Sequence, residues 1–315
     1  MIALVAGAAL LMAALPVTDL TALEAEVPTI QKLNDWTERE RRATEHNQAL
    51  VQLVKRDALK SGSDWLRAAN AVIADNNWYE FERLHYEWTL TALAMGEPGA
   101  RQSIGSAWDQ FMLSLARRPR LGALPYSAGM PAKYAPELTL ACIRAALTDS
   151  KSPDKPPKNA QLAALRDADQ KARQTDWSKL TQAQIIEIAH ADEARRAQAL
   201  DILRSAEALS GEDFEAAGLL LQHGDSFGDY ALAHELSVCA VVQGYAEGIW
   251  LMSRSYDRML LSAGYRQRFL TQFGGVGVRP YETTGVNDRQ LKALKTLTVK
   301  EAIARGKQIA SGKGW

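Results

Sequence analysis

The stretch DYALAHELSVCAVVQGYAEGIWLMSRSYDRMLLSA, Asp229 to Ala263, decides how the chain is read. Asp229 to Gln243 is filled with small and apolar residues and lacks the alternation of a strand. Gly244-Tyr245 interrupts it, and Ala246 to Ala263 resumes with Ile249, Met252, Tyr256 and Met259 in one stripe. Residues three and four apart share a helix face, so the stretch reads as two helices joined by a glycine turn. Glycine suits that turn because it takes the left-handed conformation without a steric penalty. The same spacing recurs at Leu50, Leu53 and Val54, and at Ala217, Leu220 and Leu221. Strand signals are scarce. The expected fold is all-α.

Outward from this hairpin, the chain says the same thing twice. Ser61-Gly-Ser-Asp-Trp65 is echoed by Ser210-Gly-Glu-Asp-Phe214, and each serine precedes an acid by three positions, the spacing of a helix-capping box. Gly96 is followed by Ser106-Ala-Trp-Asp-Gln110, and Gly244 by Ser255-Tyr-Asp-Arg258. Arg118-Pro-Arg-Leu-Gly122 parallels Arg266-Gln-Arg-Phe-Leu270. Nearly constant order and spacing point to an internal duplication, giving two related helical domains over 23–149 and 159–315. Between them Ser150 to Lys158 carries prolines and lysines without an apolar residue, the composition of a solvated linker.

Composition narrows the function. Thirty-seven basic residues balance thirty-seven acidic ones in 315 residues, so no net field would hold a polyanion and nucleic acid is not expected as a partner. The two cysteines, Cys142 and Cys239, lack Cys-x-x-Cys spacing and read as buried free thiols; no metal and no cofactor are expected. Ile2 to Leu15 is an unbroken apolar run, too short to span a bilayer but suited to the apolar region of a secretory signal. Residues 1–22 are therefore expected to be a signal peptide. The mature protein would be periplasmic or secreted, without a stable membrane span.

The two copies differ in their polar residues. The second has Gln222-His223-Gly224 where the first has residues near Ala74-Asp75-Asn76, and Asp257-Arg258 where the first has Asp109-Gln110. It ends Gln267-Arg-Phe-Leu-Thr-Gln272 where the first has Pro119-Arg-Leu-Gly-Ala-Leu124. Framework residues are shared; the histidine, the arginine and the Thr-Gln pair are not. This suggests that the second copy retains a site the first has lost. His223 could exchange protons with Asp257 orienting its ring. Arg258 or Arg268 could hold a carboxylate or phosphate, and Gln222, Gln267, Thr271 and Gln272 could hydrogen-bond a polar ligand. Structural roles compete: His223 as a helix cap, Asp257-Arg258 as an ion pair, Thr271-Gln272 as a loop start. His234, beside Glu235, is a candidate for the same cleft, whereas His46, His85 and His190 read as surface residues. Asp109, if it serves packing alone, should tolerate Asp109→Asn at a cost of about 1 kcal/mol.

These motifs also carry a resemblance. Residues 160 to 280 resemble an uncharacterised, mainly bacterial domain-of-unknown-function family, number 6624. Its pattern reads here as Asp169-Gln170-Lys171-Ala172-Arg173, Gln222-His223, Asp257-Arg258 and Gln267-Arg268-Phe269-Leu270-Thr271-Gln272. Leu270 stands where the family has glycine. The resemblance adds Asp169, Gln170 and Arg173 to the candidate site and implies no activity. The hairpin itself is similar to Sel1-like and tetratricopeptide units, although one per copy does not make a solenoid. Two functions follow from the residues. One is a binding module that holds a peptide, glycan, protein partner or small polar molecule in a polar cleft. The other is a hydrolase or lyase with His223 as acid or base, although no serine or cysteine stands beside a histidine as a nucleophile.

Overall fold

In a computed structural model of the chain, the structure describes residues 19–124, 139–148, 156, 158–176, 179–206 and 208–313. The apolar run Ile2 to Leu15 and nearly all of the linker Ser150 to Lys158 lie outside them. Among the described residues the fold is all-α apart from one two-stranded ladder and an isolated bridge between Gln267 and Tyr281. The first half contains α1 (Leu20–Gln31), α2 (Trp36–Lys55), α3 (Gly62–Ala71), α4 (Trp78–Ala94) and α5 (Pro98–Ser114). A short α6 (Ala141–Thr148) follows. The second half contains α7 (Ala160–Arg173), α8 (Gln182–Ser205), α9 (Gly211–Leu221), α10 (Phe227–Val242) and α11 (Gly248–Ser262).

Helix starts are set by side chains that take over orphaned backbone amides. Ser61 and Ser210 each accept from the amide of the acid three residues on, Asp64 and Asp213, whose carboxylate reaches back to the serine amide. A cap of this kind is worth about 1 kcal/mol. Packing then follows the same order in each half: α3 lies on α4 and α4 on α5, as α9 lies on α10 and α10 on α11. One contiguous cluster of buried side chains, including Trp65, Trp88, Trp108, Phe214, Tyr256 and Phe269, draws on both halves.

Contacts repeat with the residues. Tyr86 and His234 are 148 residues apart and hydrogen-bonded to each other, Oη to Nε2 at 2.6 Å. The same separation divides Glu87 from Glu235, Trp108 from Tyr256, Asp109 from Asp257 and Arg120 from Arg268. The partners then cross between halves. Arg120 and the Trp108 indole N–H donate to Glu235. Reciprocally, Arg268 Nε (2.9 Å) and the Tyr256 hydroxyl (3.2 Å) donate to Glu87. Both carboxylates are buried, so each charge rests on a hydrogen-bonded partner from the other half. His234 is sealed within this centre, also bonded through Nδ1 to the Met252 carbonyl. Burial pushes its pKa down to about 3. It faces no cleft.

Each half also folds the loop after its last long helix around a buried aspartate. Asp109 accepts from the amides of Arg120, Leu121 and Ala123 at 2.7–2.8 Å. Asp257 accepts from Arg268 N at 2.7 Å, Phe269 N at 3.0 Å, Thr271 N at 3.0 Å and Thr271 Oγ1 at 2.7 Å. Asp109 is therefore a loop organiser and not mere packing. An asparagine there would turn an N–H₂ toward amide donors, so the expected cost of Asp109→Asn rises to about 2–3 kcal/mol. The loop needs one left-handed residue, Gly122 (φ 68°) in the first half and Leu270 (φ 54°) in the second. Leucine pays about 1–2 kcal/mol there, offset by burial of its side chain in the core.

Beyond α11, β1 (Phe273–Gly274) pairs antiparallel with β2 (Gly277–Val278), and the last helix, Val299–Ala310, packs on both. The single helix expected over Asp288 to Ile309 is instead α12 (Asp288–Ala293) and α13 (Val299–Ala310). Lys295 takes a positive φ of 52° between them, and Thr298 opens a new capping box with Glu301. Among the described residues no helix is long and apolar enough to cross a membrane.

Candidate functional site

Helix α7 begins at Asn159, whose side chain accepts from the amides of Gln161 and Leu162. Leu162 faces the core, and two turns on the same face presents Asp169, which is 1% exposed. A carboxylate at such a depth needs partners. Asp169 Oδ1 receives His223 Nδ1 at 3.1 Å and Arg173 Nη2 at 3.1 Å, and Oδ2 receives Gln170 Nε2 at 2.9 Å. Burial alone would raise the Asp169 pKa, but His223 first, then Arg173 and Gln170, outweigh it and hold the carboxyl below its usual value.

The network continues into α8. Arg173 Nη2 also reaches Asp192 Oδ2 at 2.6 Å, and Arg195 pairs with the other Asp192 oxygen. Arg196 Nη1 donates to the His223 carbonyl at 3.1 Å. From α11, Arg258 Nη1 donates to the Gln222 carbonyl and its Nε to Gln272 Oε1 at 3.1 Å. Seven of the expected site residues thus share one polar cluster: Asp169, Gln170, Arg173, Gln222, His223, Arg258 and Gln272. The His223 side chain is 18% exposed, and its Nε2 bonds to no described residue. The carboxylate fixes the ring through one nitrogen and leaves the other toward solvent, an arrangement able to hydrogen-bond a ligand or accept its proton.

The remaining expected residues belong to the framework. Asp257 does not orient His223, because both its oxygens are occupied by the 268–271 loop. Thr271 serves the same carboxylate through its hydroxyl. Arg268 is buried on Glu87 and on the carbonyls of Glu282 and Thr284. Gln267 staples the turn, accepting from Gln272 N at 2.8 Å and donating to the carbonyls of Gln272 and Arg279 at 2.9 Å each. His46 is not a surface residue either: it is buried, with Nε2 2.8 Å from the Ala71 carbonyl. His85 is likewise largely enclosed, whereas His190 is exposed, its Nδ1 4.0 Å from Glu193 Oε2.

Sequence reading missed Asp192, Arg195 and Arg196. They lie in the run Asp192-Glu-Ala-Arg-Arg196, which looks like an ordinary solvated helix face. Their signal emerges when the halves are overlaid by burial. Leu23 in α1 matches Leu162 in α7, and two turns on, Ile30 falls on Asp169. Leu50 in α2 matches Ala199 in α8, and two turns back, Ala43 falls on Asp192. Counting equally from Ser61 and Ser210 brings Ile73 onto Gln222. Ile30, Ala43 and Ile73 form an apolar cluster of their own. The second half places a carboxylate, a carboxylate and an amide at those positions.

Surface cavities of about 550, 670 and 740 Å³ open elsewhere and are lined by other residues. No group of three or more His, Cys, Asp or Glu able to hold a metal occurs among the described residues. No family model, curated protein or solved structure matches the chain.

Proposed function

We propose that the protein is a binding module whose second half recognises a polar ligand through His223, Asp169 and the surrounding Arg173, Gln170, Gln222 and Arg258. One observation carries this reading. The positions of Asp169, Asp192 and Gln222 are filled in the first half by Ile30, Ala43 and Ile73, which pack as a dry cluster. The architecture is satisfied by hydrocarbon there, so the buried charges of the second half answer a different requirement. Buried ion networks are poor sources of stability compared with well-packed apolar groups. The resemblance to family 6624 supports the same residues, since each of its four elements contributes at least one residue to the cluster. The test compares wild type with His223→Ala and Gln170→Ala against peptide, glycan and small polar ligands by calorimetry. Binding weakened about tenfold or more by His223→Ala is expected; a ligand bound equally by both proteins would remove the site from the reading.

A second reading is favoured by one distance. His223 Nδ1 lies 3.1 Å from Asp169 Oδ1, the geometry of a histidine poised by a carboxylate for general acid–base work. The acid partner in that reading is Asp169 and not Asp257. A hydrolase or lyase of this kind would lose turnover in His223→Ala and in Asp169→Asn alike.

A further inference from the structure

Several arginines in or near the core stand on carboxylates: Arg83 on Glu80 and Glu87, Arg268 on Glu87, Arg120 on Glu235, Arg173 on Asp169 and Asp192, Arg195 on Asp192. Arg196 and Arg258 are half-buried and have no carboxylate among the described residues. Each spends one hydrogen bond on a main-chain carbonyl of the same dipeptide. Arg258 caps Gln222 O and Arg196 caps His223 O. The other hydrogen bond of Arg258 among the described residues is neutral, from Nε to the Gln272 side-chain oxygen, and Arg258 Nη2 bonds to no described residue. A guanidinium withdrawn from water without a counter-ion is unfavourable. Burial, with the charges of Arg173 and Arg279 nearby, pushes the Arg258 pKa down.

The first half shows that the fold does not need these charges. Arg258 falls on Gln110, and Arg196 falls on Asn47. Asn47 closes the end of α3 with a neutral amide, donating to Ile73 O at 2.7 Å and accepting from Ile73 N at 3.0 Å. Two neutral residues of the first half are thus matched by two cations on either side of His223, and no carboxylate among the described residues pairs with either. Guanidinium forks match planar or tetrahedral oxyanions geometrically as well as electrostatically.

We infer that Arg196 and Arg258, flanking Gln222-His223, form the anion-holding part of this site, and that its ligand presents an oxyanion, a carboxylate or a phosphate. This rests on the binding reading above and narrows it to a ligand class. His223 Nε2 would then contact the same group or the atom beside it.

Inorganic phosphate and succinate, each titrated into the full chain at ionic strength held constant with chloride, are the probes. At least one is expected to bind saturably and raise the melting temperature, phosphate identifying a phosphoryl ligand and succinate a carboxylate ligand. Arg258→Gln and Arg196→Asn, which install the residues of the first half, should each weaken that binding about tenfold, the loss of one charge-assisted contact. Without anion, both variants should melt no lower than wild type, because each removes an uncompensated cation. A lower melting temperature in both would mark the arginines as carbonyl caps of the fold and overturn the inference. So would saturable binding that both variants leave unchanged, or no binding beyond chloride. If a neutral ligand binds and only His223→Ala weakens it, the anion inference falls while the binding reading stands. If no ligand depends on His223, both fall.

Discussion

Ile30, Ala43 and Ile73 in the first half, and Asp169, Asp192 and Gln222 in the second, occupy matching places under matching helices. One set excludes water by being apolar; the other is buried only because Arg173, His223 and Gln170 meet its charges. By contrast Asp109 and Asp257 are kept in both halves and do the same work in both. The difference separates architecture from chemistry. What recurs with the same partners holds the fold, and what recurs in position but changes character is free to serve a ligand.

The largest effects should fall on the shared features. Asp257→Ala strands several buried amides, as does Asp109→Ala, so each should cost about 3–5 kcal/mol in urea unfolding, and the two costs should agree within about 1 kcal/mol. Costs that diverge widely would show that the two loops are not equivalent. The crossed arginines sharpen the same point at smaller size. Arg268→Met removes a buried partner of Glu87 and two carbonyl contacts, which should cost about 3–4 kcal/mol. Arg120→Met should cost less, about 2 kcal/mol, because the Arg120 side chain is 19% exposed against 1% for Arg268. Equal costs would mean that exposure does not govern the pair.

One pH effect should come from a pair found in the first half. Glu82 is buried, one oxygen bonded to the Trp78 indole and the other without a partner. Burial raises its pKa from 4.5 to about 7. The fold therefore favours its protonated form, and that contribution, full below pH 4.5, is lost as pH rises through 7. Burial lowers His85, 4.0 Å from the unpartnered Glu82 oxygen, from 6.5 to about 4. The fold favours its neutral form, a contribution full above pH 6.5 and lost as pH falls through 4. Between about pH 4.5 and 6.5 the two slopes oppose each other and cancel. Glu82→Gln should uncover the His85 slope, so that stability rises by about 1–2 kcal/mol from pH 4 to 6.5. Tyr230 and Ala233 stand at the matching positions of the second half, and Tyr230→Phe should leave the profile unchanged. A flat profile in Glu82→Gln would remove the opposing pair.

Much of this was legible in the residues. The capping boxes at Ser61 and Ser210, the turn at Gly244 and the parallel between Arg118–Gly122 and Arg266–Leu270 gave the helices and their repeated order, because caps and glycine turns act locally. The break at Lys295 was not legible: a lysine carries no signal for the positive φ at which Thr296 N–H closes back on the Leu291 carbonyl. The same limit applied to the site. The motif residues Gln267, Arg268 and Thr271 are polar and looked functional, yet their partners are backbone groups and a distant Glu87. Asp192 and Arg196 looked like solvated helix surface, and only their tertiary partners distinguish them from neighbours such as Glu193.

The account turns on whether the polar cluster is dispensable to the fold. The direct measurement is urea unfolding of wild type beside the variant Asp169→Ile, Asp192→Ala, Gln222→Ile, Arg173→Met, Arg195→Met, which writes the apolar cluster of the first half into the second and removes the arginines that paired with the lost acids. Replacing a buried ion network by hydrocarbon of fitting size is neutral or stabilising by about 1–4 kcal/mol. The expected result is a cooperative transition at equal or higher urea with ligand binding abolished. A loss of more than about 3 kcal/mol would contradict the account and make His223, Asp169 and Arg173 part of the scaffold.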